Sequence, residues 1–405
     1  MPKKTETKYG LPEKVIFCKK CVISNQRPSS TVEFKHVKNE KKETIAFGED
    51  GVCDACRYAE YKDIKINWEA REKELIKLCD KYRSKNGYYD CVVPGSGGKD
   101  SAYTAHILKY KYGMNPLTVT WAPHLYTDIG WKNFTNWGHI GGLDNILFTP
   151  NGVVHRLLTR LAFENLLHPF QPFIIGQKYS GPKFALLYKI PLVFYGEYGA
   201  EYGNKIKENE IPTINSKFYT HDATLDKLFL GGVSAKRLLT DKKISLNDLN
   251  PYLPIQWKEA DKIGIQLHSL GYYLKWDPQE CYYYASQNTG FQANSERTEG
   301  SYSKYSSIDD KVDSFHYYTT LIKFGIGRAT YDAAQEIRNK KITREEGITL
   351  VKRYDTEFPN KYFQEFLDYT GISKDKFWNL INAGRSPHLW KKINNKEWQL
   401  RHQVS

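Results

Sequence analysis

The sequence predicts an α/β protein: a doubly wound parallel sheet, preceded by a four-cysteine zinc module and followed by a mostly helical C-terminal region. Three observations carry this expectation. Between Tyr88 and Glu197, short apolar runs alternate with helix-length amphipathic stretches. That is the rhythm of βαβ units, whose right-handed crossovers place helices on both faces of a sheet. Two Cys-x-x-Cys pairs, Cys18/Cys21 and Cys53/Cys56, stand ahead of this region with 31 residues between them. Beyond about Gly231 the strand-like runs fade and helical spacing takes over. The expected boundaries are 1–66, 67–230 and 231–405.

The elements follow in order. Two Cys-x-x-Cys knuckles can present four thiolates to one tetrahedral zinc, and a four-cysteine set leaves no open coordination position, which predicts a structural metal. The stretch between them, with Arg27-Pro28 and a charged run at 38–43, reads as an irregular loop closed by Gly51. Trp68, Leu75, Cys79 and Tyr82 recur at helical spacing behind a candidate N-cap, Asn67. Strands are expected at Tyr88–Val93, Leu117–Trp121, Asn145–Phe148, Phe173–Gly176 and Pro191–Tyr195. Helices are expected at Ala102–Tyr112, around Trp131–Trp137, and at Val153–Leu167 and Gly181–Lys189. Farther on, helical patterns cover Ser314–Phe324, Ala329–Arg338, Pro359–Tyr369 and Lys374–Asn382, while Thr343-Arg-Glu-Glu346 is a capping box opening one more helix. The polar stretch Gln287–Asp310 lacks either period; long irregular segments of this kind border catalytic sites or serve as linkers.

Composition narrows the function classes. The net charge of +13 is spread along the chain, with 14 basic against 10 acidic residues over 1–66, 27 against 23 over 67–300, and 18 against 13 over 301–405. With no basic tail or stripe, nucleic acid is not the expected partner. No apolar run reaches the length of a membrane span, and the first residues lack a signal-peptide core, so a cytoplasmic location without a membrane partner is expected. In that compartment the seven cysteines are expected as metal ligands or thiols rather than disulfides.

The chemistry centres on Pro94-Gly95-Ser96-Gly97-Gly98-Lys99-Asp100-Ser101. It joins a strand to a helix, where free backbone N–H groups and a helix N-terminus converge on an anion. Gly97 and Gly98 allow the backbone close to phosphate oxygens. Ser96 and Ser101 can donate hydrogen bonds, Lys99 can bring charge to the phosphates, and Asp100 can hold magnesium. Ligands of doubly wound sheets sit at the carboxyl ends of strands. The turns after Val93, Thr120 and Tyr195 are therefore expected to share one crevice, which brings Thr120 into the ATP set and places Glu197 nearby.

The order Ser-Gly-Gly-x-Asp-Ser resembles the PP-loop of ATP pyrophosphatases, which implies a HUP-like sheet and cleavage of ATP between its α and β phosphates. A wider resemblance runs along the chain. Cys18-Lys-Lys-Cys-Val22 with Arg27-Pro28, Gly51-Val-Cys-Asp-Ala-Cys-Arg57, Ile66-Asn-Trp-Glu69 and Asp90 through Ser101 resemble the N-acetyl sugar amidotransferase family. So do Pro191-Leu-Val-Phe-Tyr-Gly-Glu197 with Glu201-Tyr-Gly203, Gly271-Tyr-Tyr-Leu-Lys-Trp-Asp-Pro278 and Ile342-Thr-Arg-Glu-Glu346. The resemblance implies conversion of an N-acetyl group to an acetamidino group on bacterial surface sugars, namely nonulosonic acids of the pseudaminic or legionaminic type or diacetamido uronic acids. It implies ATP, Mg2+ and a structural Zn2+. It also implies a partner glutaminase supplying ammonia and, in some systems, a cyclase-like subunit passing it on. Carried onto this chain, Ser96 to Ser101 would bind phosphates, with Lys99 and Asp100 catalytic. Glu197, Glu201, Tyr202 and Asn204 are substrate candidates, and Arg297 and Lys304 could meet a sugar carboxylate.

No glutaminase is expected within the chain itself. Position 2 is Pro, and Cys79, Cys91 and Cys281 lack the glycine-flanked setting of a nucleophile elbow. Two other readings stand beside the amidotransferase: a tRNA-modifying, thiolating enzyme with the same loop, and a zinc-stabilised scaffold that senses ATP.

Overall fold

Five parallel strands form the centre of the computed structural model, which describes residues 5–30, 32–37, 40–203, 211–242, 244–394 and 397–405. In chain order the helices and strands leading into and through this sheet are α1 (Asp54–Ile64), α2 (Trp68–Tyr82), β1 (Cys91–Pro94), α3 (Lys99–Tyr110), β2 (Pro116–Trp121) and α4 (Asp128–His139). There follow β3 (Asp144–Phe148), α5 (Gly152–Leu166), α6 (Gln171–Tyr188), β4 (Leu192–Tyr195) and β5 (Gln266–Ser269). The sheet order is β3-β2-β1-β4-β5. Every pairing is parallel, with Val92 opposite both Leu117 and Val193. The strand order reverses between β1 and β4, and the crevice at such a switch point is where doubly wound sheets bind ligands.

Cys91, Val92 and Val93 of the central strand are fully buried, as a strand covered by helices on both faces must be. Asn67 caps α2 through Oδ1, which accepts the Ala70 N–H at 3.0 Å.

Besides helices that the sequence did not announce, such as Asp54–Ile64 and Pro278–Asn288, two elements differ from the sequence expectation. Phe173–Gly176 is not a strand; it belongs to α6, which runs unbroken to Tyr188. Gly176, where the expected strand ends, and Pro182, at the start of the expected helix, both serve the packing of this helix. A Cβ on Gly176 would stand 2.1 Å from the Trp121 indole, so glycine lets the helix lie against β2. Pro182 cannot donate to the Lys178 carbonyl, and the Tyr195 hydroxyl of β4 donates to that carbonyl instead, at 3.1 Å. The second difference is β5, a sheet strand well beyond residue 231. Its Gln-Leu-His-Ser sequence has one apolar residue, and His268 is buried by bonding the Tyr273 hydroxyl at 2.8 Å. No hydrophobic period announces such a strand.

The later helices used below are α7 (Pro278–Asn288), α8 (Asp313–Phe324), α9 (Arg328–Arg338) and α10 (Arg344–Tyr354). The capping box at α10 is formed in both directions, Thr343 Oγ1 accepting from Glu346 N–H at 3.2 Å and Glu346 Oε2 accepting from Thr343 N–H at 2.7 Å. The irregular stretch before α8 is tied to the β2–α4 connection. Asp310 Oδ2 accepts from the His124 N–H and bonds His124 Nδ1, both at 2.7 Å, and the Lys311 N–H donates to Leu125 O at 3.0 Å.

The cysteine module packs on α9, where Ala333 and Ala334 join Val22, Ile23 and Ile45 in a shared core. Deeper still, Lys62 of α1 is 2% exposed and donates to both oxygens of Glu201 at 2.9 Å, to Trp276 O at 3.0 Å and to Asn339 Oδ1 at 3.3 Å. A buried ammonium left without its carboxylate costs about 3–5 kcal/mol. Glu201→Ala should therefore lower the denaturation free energy by that order, and Lys62→Met combined with Glu201→Leu should recover most of it. Urea unfolding of the three proteins is the check; an unaffected single variant would contradict the buried pair.

Candidate active site

The turn after β1 is shaped by one close approach. Gly97 has φ +79°, and a Cβ there would stand 2.9 Å from Asn133 O and Phe134 Cα of α4. Gly98 then caps α3 in an extended conformation, leaving the first-turn N–H groups free at the mouth of a cavity of about 1930 Å³. Ser96, Gly98, Lys99 and Asp100 line this cavity from one side, and Glu197 and Tyr202 line it from the turn after β4. Ser101 stands behind the loop, its hydroxyl donating to Gly98 O at 3.1 Å.

The charges here are interlocked. Lys99 pairs with Asp100 at 2.5 Å. Burial opposes the Lys99 charge, yet Asp100 and Glu197 together hold its pKa above the ordinary lysine range. Glu197 faces the open space of the cavity while protein surrounds it. Desolvation pushes its carboxyl upward and the charge of Asp100 adds to this, against the pull of Lys99 and of a Tyr202 hydrogen bond. Asp100 Oδ1 is buried and finds no hydrogen-bond partner among the described residues. An unpaired carboxylate oxygen beside a phosphate-binding turn fits a magnesium ligand.

The remaining sequence candidates are distributed differently. Thr120 does not reach the cavity; its hydroxyl lies within the sheet and accepts from Asn145 Nδ2 at 2.9 Å. Glu201 does not face substrate space, because Lys62 occupies it. Arg297 forms a fork with Glu357 at 2.6 and 2.7 Å, which ties its loop to the segment after Tyr354, and Lys304 donates to Ser295 O at 2.9 Å within the loop. Asn204 lies outside the described residues.

Sequence reasoning missed the opposite wall. Asp309 hydrogen-bonds Ser96 of the phosphate loop, and its carboxyl is pushed up, first by desolvation and then by Asp310. Arg328 opens α9, pairs with Asp332 at 3.1 Å and lies over the Tyr317 ring at 4.4 Å. Arg328, Asp332, Tyr317 and Asp309 all line the cavity. The acidic doublet closing a serine-rich run and the arginine after Gly327 are the only local signals, and neither has a period.

The four cysteines form a separate centre. Their Sγ atoms all lie within 4.8 Å of one another, with Cys18–Cys56 at 3.9 Å and Cys21–Cys53 at 3.7 Å. A single tetrahedral ion with metal–sulfur bonds of about 2.3 Å needs sulfurs roughly 3.8 Å apart. An iron–sulfur cubane would spread its thiolates wider. All four are buried, so the centre is closed and suits a structural ion. Arg344 of α10 donates to the carbonyls of Cys18 and Cys21, both at 3.3 Å.

Residues 299–404 match the family model described as "LPS biosynthesis protein WbpG-like, C-terminal domain". Asp309, Arg328 and Asp332 of the cavity all fall inside that match. An uncharacterized protein of Methanocaldococcus jannaschii is 38% identical over 53 residues, which is 13% of this chain; the chain spans 19% of that relative's length. Among solved structures, NMN synthetase from Francisella tularensis is 14% identical, with 57% of this chain and 90% of that one covered at a TM-score of 0.25. The U34-tRNA thiolase NcsA from Methanococcus maripaludis, solved with its 4Fe–4S cluster, is 9% identical, with 86% and 96% covered at a TM-score of 0.30. Scores this low give neither likeness weight for the fold or the reaction.

Two outcomes are expected of this site. Asp313, buried beside Arg328, has its carboxyl pushed up to about 7, chiefly by desolvation. The folded state therefore keeps a proton that the unfolded chain releases from about pH 4 upward, and this contribution to stability declines as pH rises toward 7, by at most about 4 kcal/mol. The stability difference between the native sequence and Asp313→Asn, measured by urea unfolding at pH 4.5 and 8, should change in that direction; a constant difference would refute it. Cys53→Ser should reduce the bound metal, measured by atomic emission, and lower the melting temperature. Full metal content in the variant would exclude a four-cysteine centre.

Proposed function

We propose that this member of the N-acetyl sugar amidotransferase family activates an acetamido oxygen of a sugar with ATP and replaces it with nitrogen from ammonia. The observation that carries the reading is the composition of one cavity. The phosphate loop forms one wall, and the WbpG-like domain, matched to proteins of lipopolysaccharide biosynthesis, forms the other through Asp309, Arg328 and Asp332. Asp309 bonds Ser96 directly, so the two walls meet at the loop.

In this reading the N–H groups at the start of α3, with Ser96 and Lys99, bind the ATP phosphates. The acetamido oxygen attacks the α phosphorus and the bond to the β-phosphate oxygen breaks, releasing pyrophosphate. An amide oxygen is a poor leaving group, and adenylation turns it into part of AMP. Ammonia then adds to the imidate carbon, AMP departs with the oxygen, and the acetamidino group remains after loss of a proton. Asp100 Oδ1, with Glu197 close by, would hold Mg2+, which offsets charge on the departing pyrophosphate. Lys99, held protonated by its two acidic neighbours, adds a fixed positive charge in the same place.

Ammonia is proposed to come from a partner glutaminase, with or without a cyclase-like intermediary. Three of the seven cysteines stand outside the metal centre, and none suits a nucleophile. Burial raises the Cys79 thiol to about 11, and burial likewise pushes Cys91 and Cys281 well up. A thiol kept neutral in this way does not attack carbonyls at pH 7. The four-cysteine centre is proposed to hold Zn2+ as a structural ion.

The decisive experiment measures pyrophosphate released from ATP and ammonium in the presence of acetamido nonulosonic acids, diacetamido uronic acids or tRNA. Sugar-dependent release, with product one mass unit lighter than substrate, is expected. Asp100→Ala should reduce the rate by at least a hundredfold while leaving the melting temperature within a few degrees. Release that depends only on tRNA would replace the proposal with a tRNA-modifying enzyme.

A further inference from the structure

Along the cavity from the phosphate loop stands a guanidinium that no carboxylate among the described residues pairs with. Arg27 is 6% exposed and lies between two phenol rings, its Cζ 5.7 Å from the centroids of both Tyr202 and Tyr331. Its own hydrogen bonds go to neutral groups, Pro28 O at 3.5 Å and Ser30 Oγ at 3.2 Å. Among the described residues no ion pair involves it. Burial works against its charge, and so does a second cation, Arg338, which lines the same cavity. The cysteine cluster and Glu201 stand near Arg338 and favour its charge, whereas the phenols of Tyr331 and Tyr202 stand nearest Arg27, with Cys53 a lesser neighbour.

A second donor on this wall is also unanswered. Gln335 follows Tyr331 by one helical turn on α9, so the two side chains lie one above the other. Gln335 lines the cavity, and its buried Nε2 has no partner among the described residues. Buried polar groups are normally satisfied and buried charges normally paired. Here a planar fork and an amide donor both open onto one void. A guanidinium held between two rings presents its fork to a two-oxygen acceptor at little further ordering cost.

We infer that Arg27, with Gln335 on the same wall, is the receptor for an anionic group of the sugar, a carboxylate or a phosphate. The geometry also orients the substrate. Glu197 stands beside Lys99 and Asp100 and accepts a hydrogen bond from Tyr202, and Tyr202 in turn packs on Arg27. The acetamido group is therefore directed to the phosphate-loop end and the acidic group to the Arg27 end. The identity of the ligand as a sugar rests on the amidotransferase reading; the anion site does not.

The test is calorimetric titration of the full-length, metal-loaded chain with N-acetylneuraminate, its methyl ester and UDP-N-acetylglucosamine, with ATP titrated in parallel. The native sequence should bind one of the two anionic sugars at least tenfold more tightly than the uncharged ester. Preference for the acid identifies a carboxylate, and preference for the nucleotide sugar identifies a phosphate. Arg27→Gln should lose that preference, Gln335→Leu should weaken it severalfold, and ATP affinity should stay unchanged in both. The melting temperature of unliganded Arg27→Gln should hold or rise, because an uncompensated buried charge has gone. A large fall in that temperature would mark a packing role and overturn the inference. Binding of neither anion in an Arg27-dependent way would overturn it too. Arg27-dependent binding without pyrophosphate release would keep the site and remove the amidotransferase reading; release without anion preference would do the reverse.

Discussion

The ammonium of Lys62 draws four separated stretches of the chain onto one point. It leaves the cysteine module on α1 and meets Glu201 after β4, the carbonyl of Trp276 and the amide of Asn339 at the end of α9. A charge this deep is tolerable only when every donor is answered, so the four stretches cannot drift independently. Glu201 stands four residues after Glu197 and one before Tyr202, the two residues of this turn that line the cavity. Fixing Glu201 therefore fixes them. A residue that resembles a substrate ligand in the sequence acts here as the anchor for those that face the substrate space.

This arrangement ties the four-cysteine cluster to the distant cavity. The cysteines shape the module, the module carries α1, and α1 carries Lys62. The same module supplies Arg27 from the loop between its cysteine pairs. Beside Arg27, α9 brings Arg328, Tyr331 and Asp332 to the cavity, and it packs on the cysteine module through Ala333 and Ala334. The walls of the cavity thus come from the sheet, the module and the WbpG-like region together. Acidic groups gather near the phosphate loop, where Asp100, Glu197 and Asp309 would meet a cation, and cationic groups gather farther along. That polarity suits a nucleotide with its magnesium at one end and an acidic ligand at the other.

Much of the fold was legible. The strands at β1 to β4 and the helices α2, α5 and α8 to α10 announce themselves through hydrophobic period, caps or both, since these signals arise from burial on a single face. The errors share a cause. The change of element expected between Gly176 and Gly181 does not occur, because Gly176 and Pro182 are answered by partners distant in sequence, the Trp121 ring and the Tyr195 hydroxyl. The strand β5 carries too few apolar residues to signal anything, and its burial comes from side-chain hydrogen bonding.

The sequence by itself determined the glycine-rich loop at the head of α3 and the four-cysteine cluster. A glycine-rich turn between strand and helix, and four cysteines in two pairs, are local patterns whose chemistry follows from spacing. Tertiary structure alone decided which polar residues share the cavity. It turned Arg297 and Lys304 toward Glu357 and Ser295, buried Glu201 against Lys62, and brought Arg27, Asp309 and Arg328 to the phosphate loop's cavity from places far apart in the chain. The physical reason is that a charged side chain has no period of its own; its role depends on whether a partner of opposite charge reaches it, and that is settled only when the chain has folded.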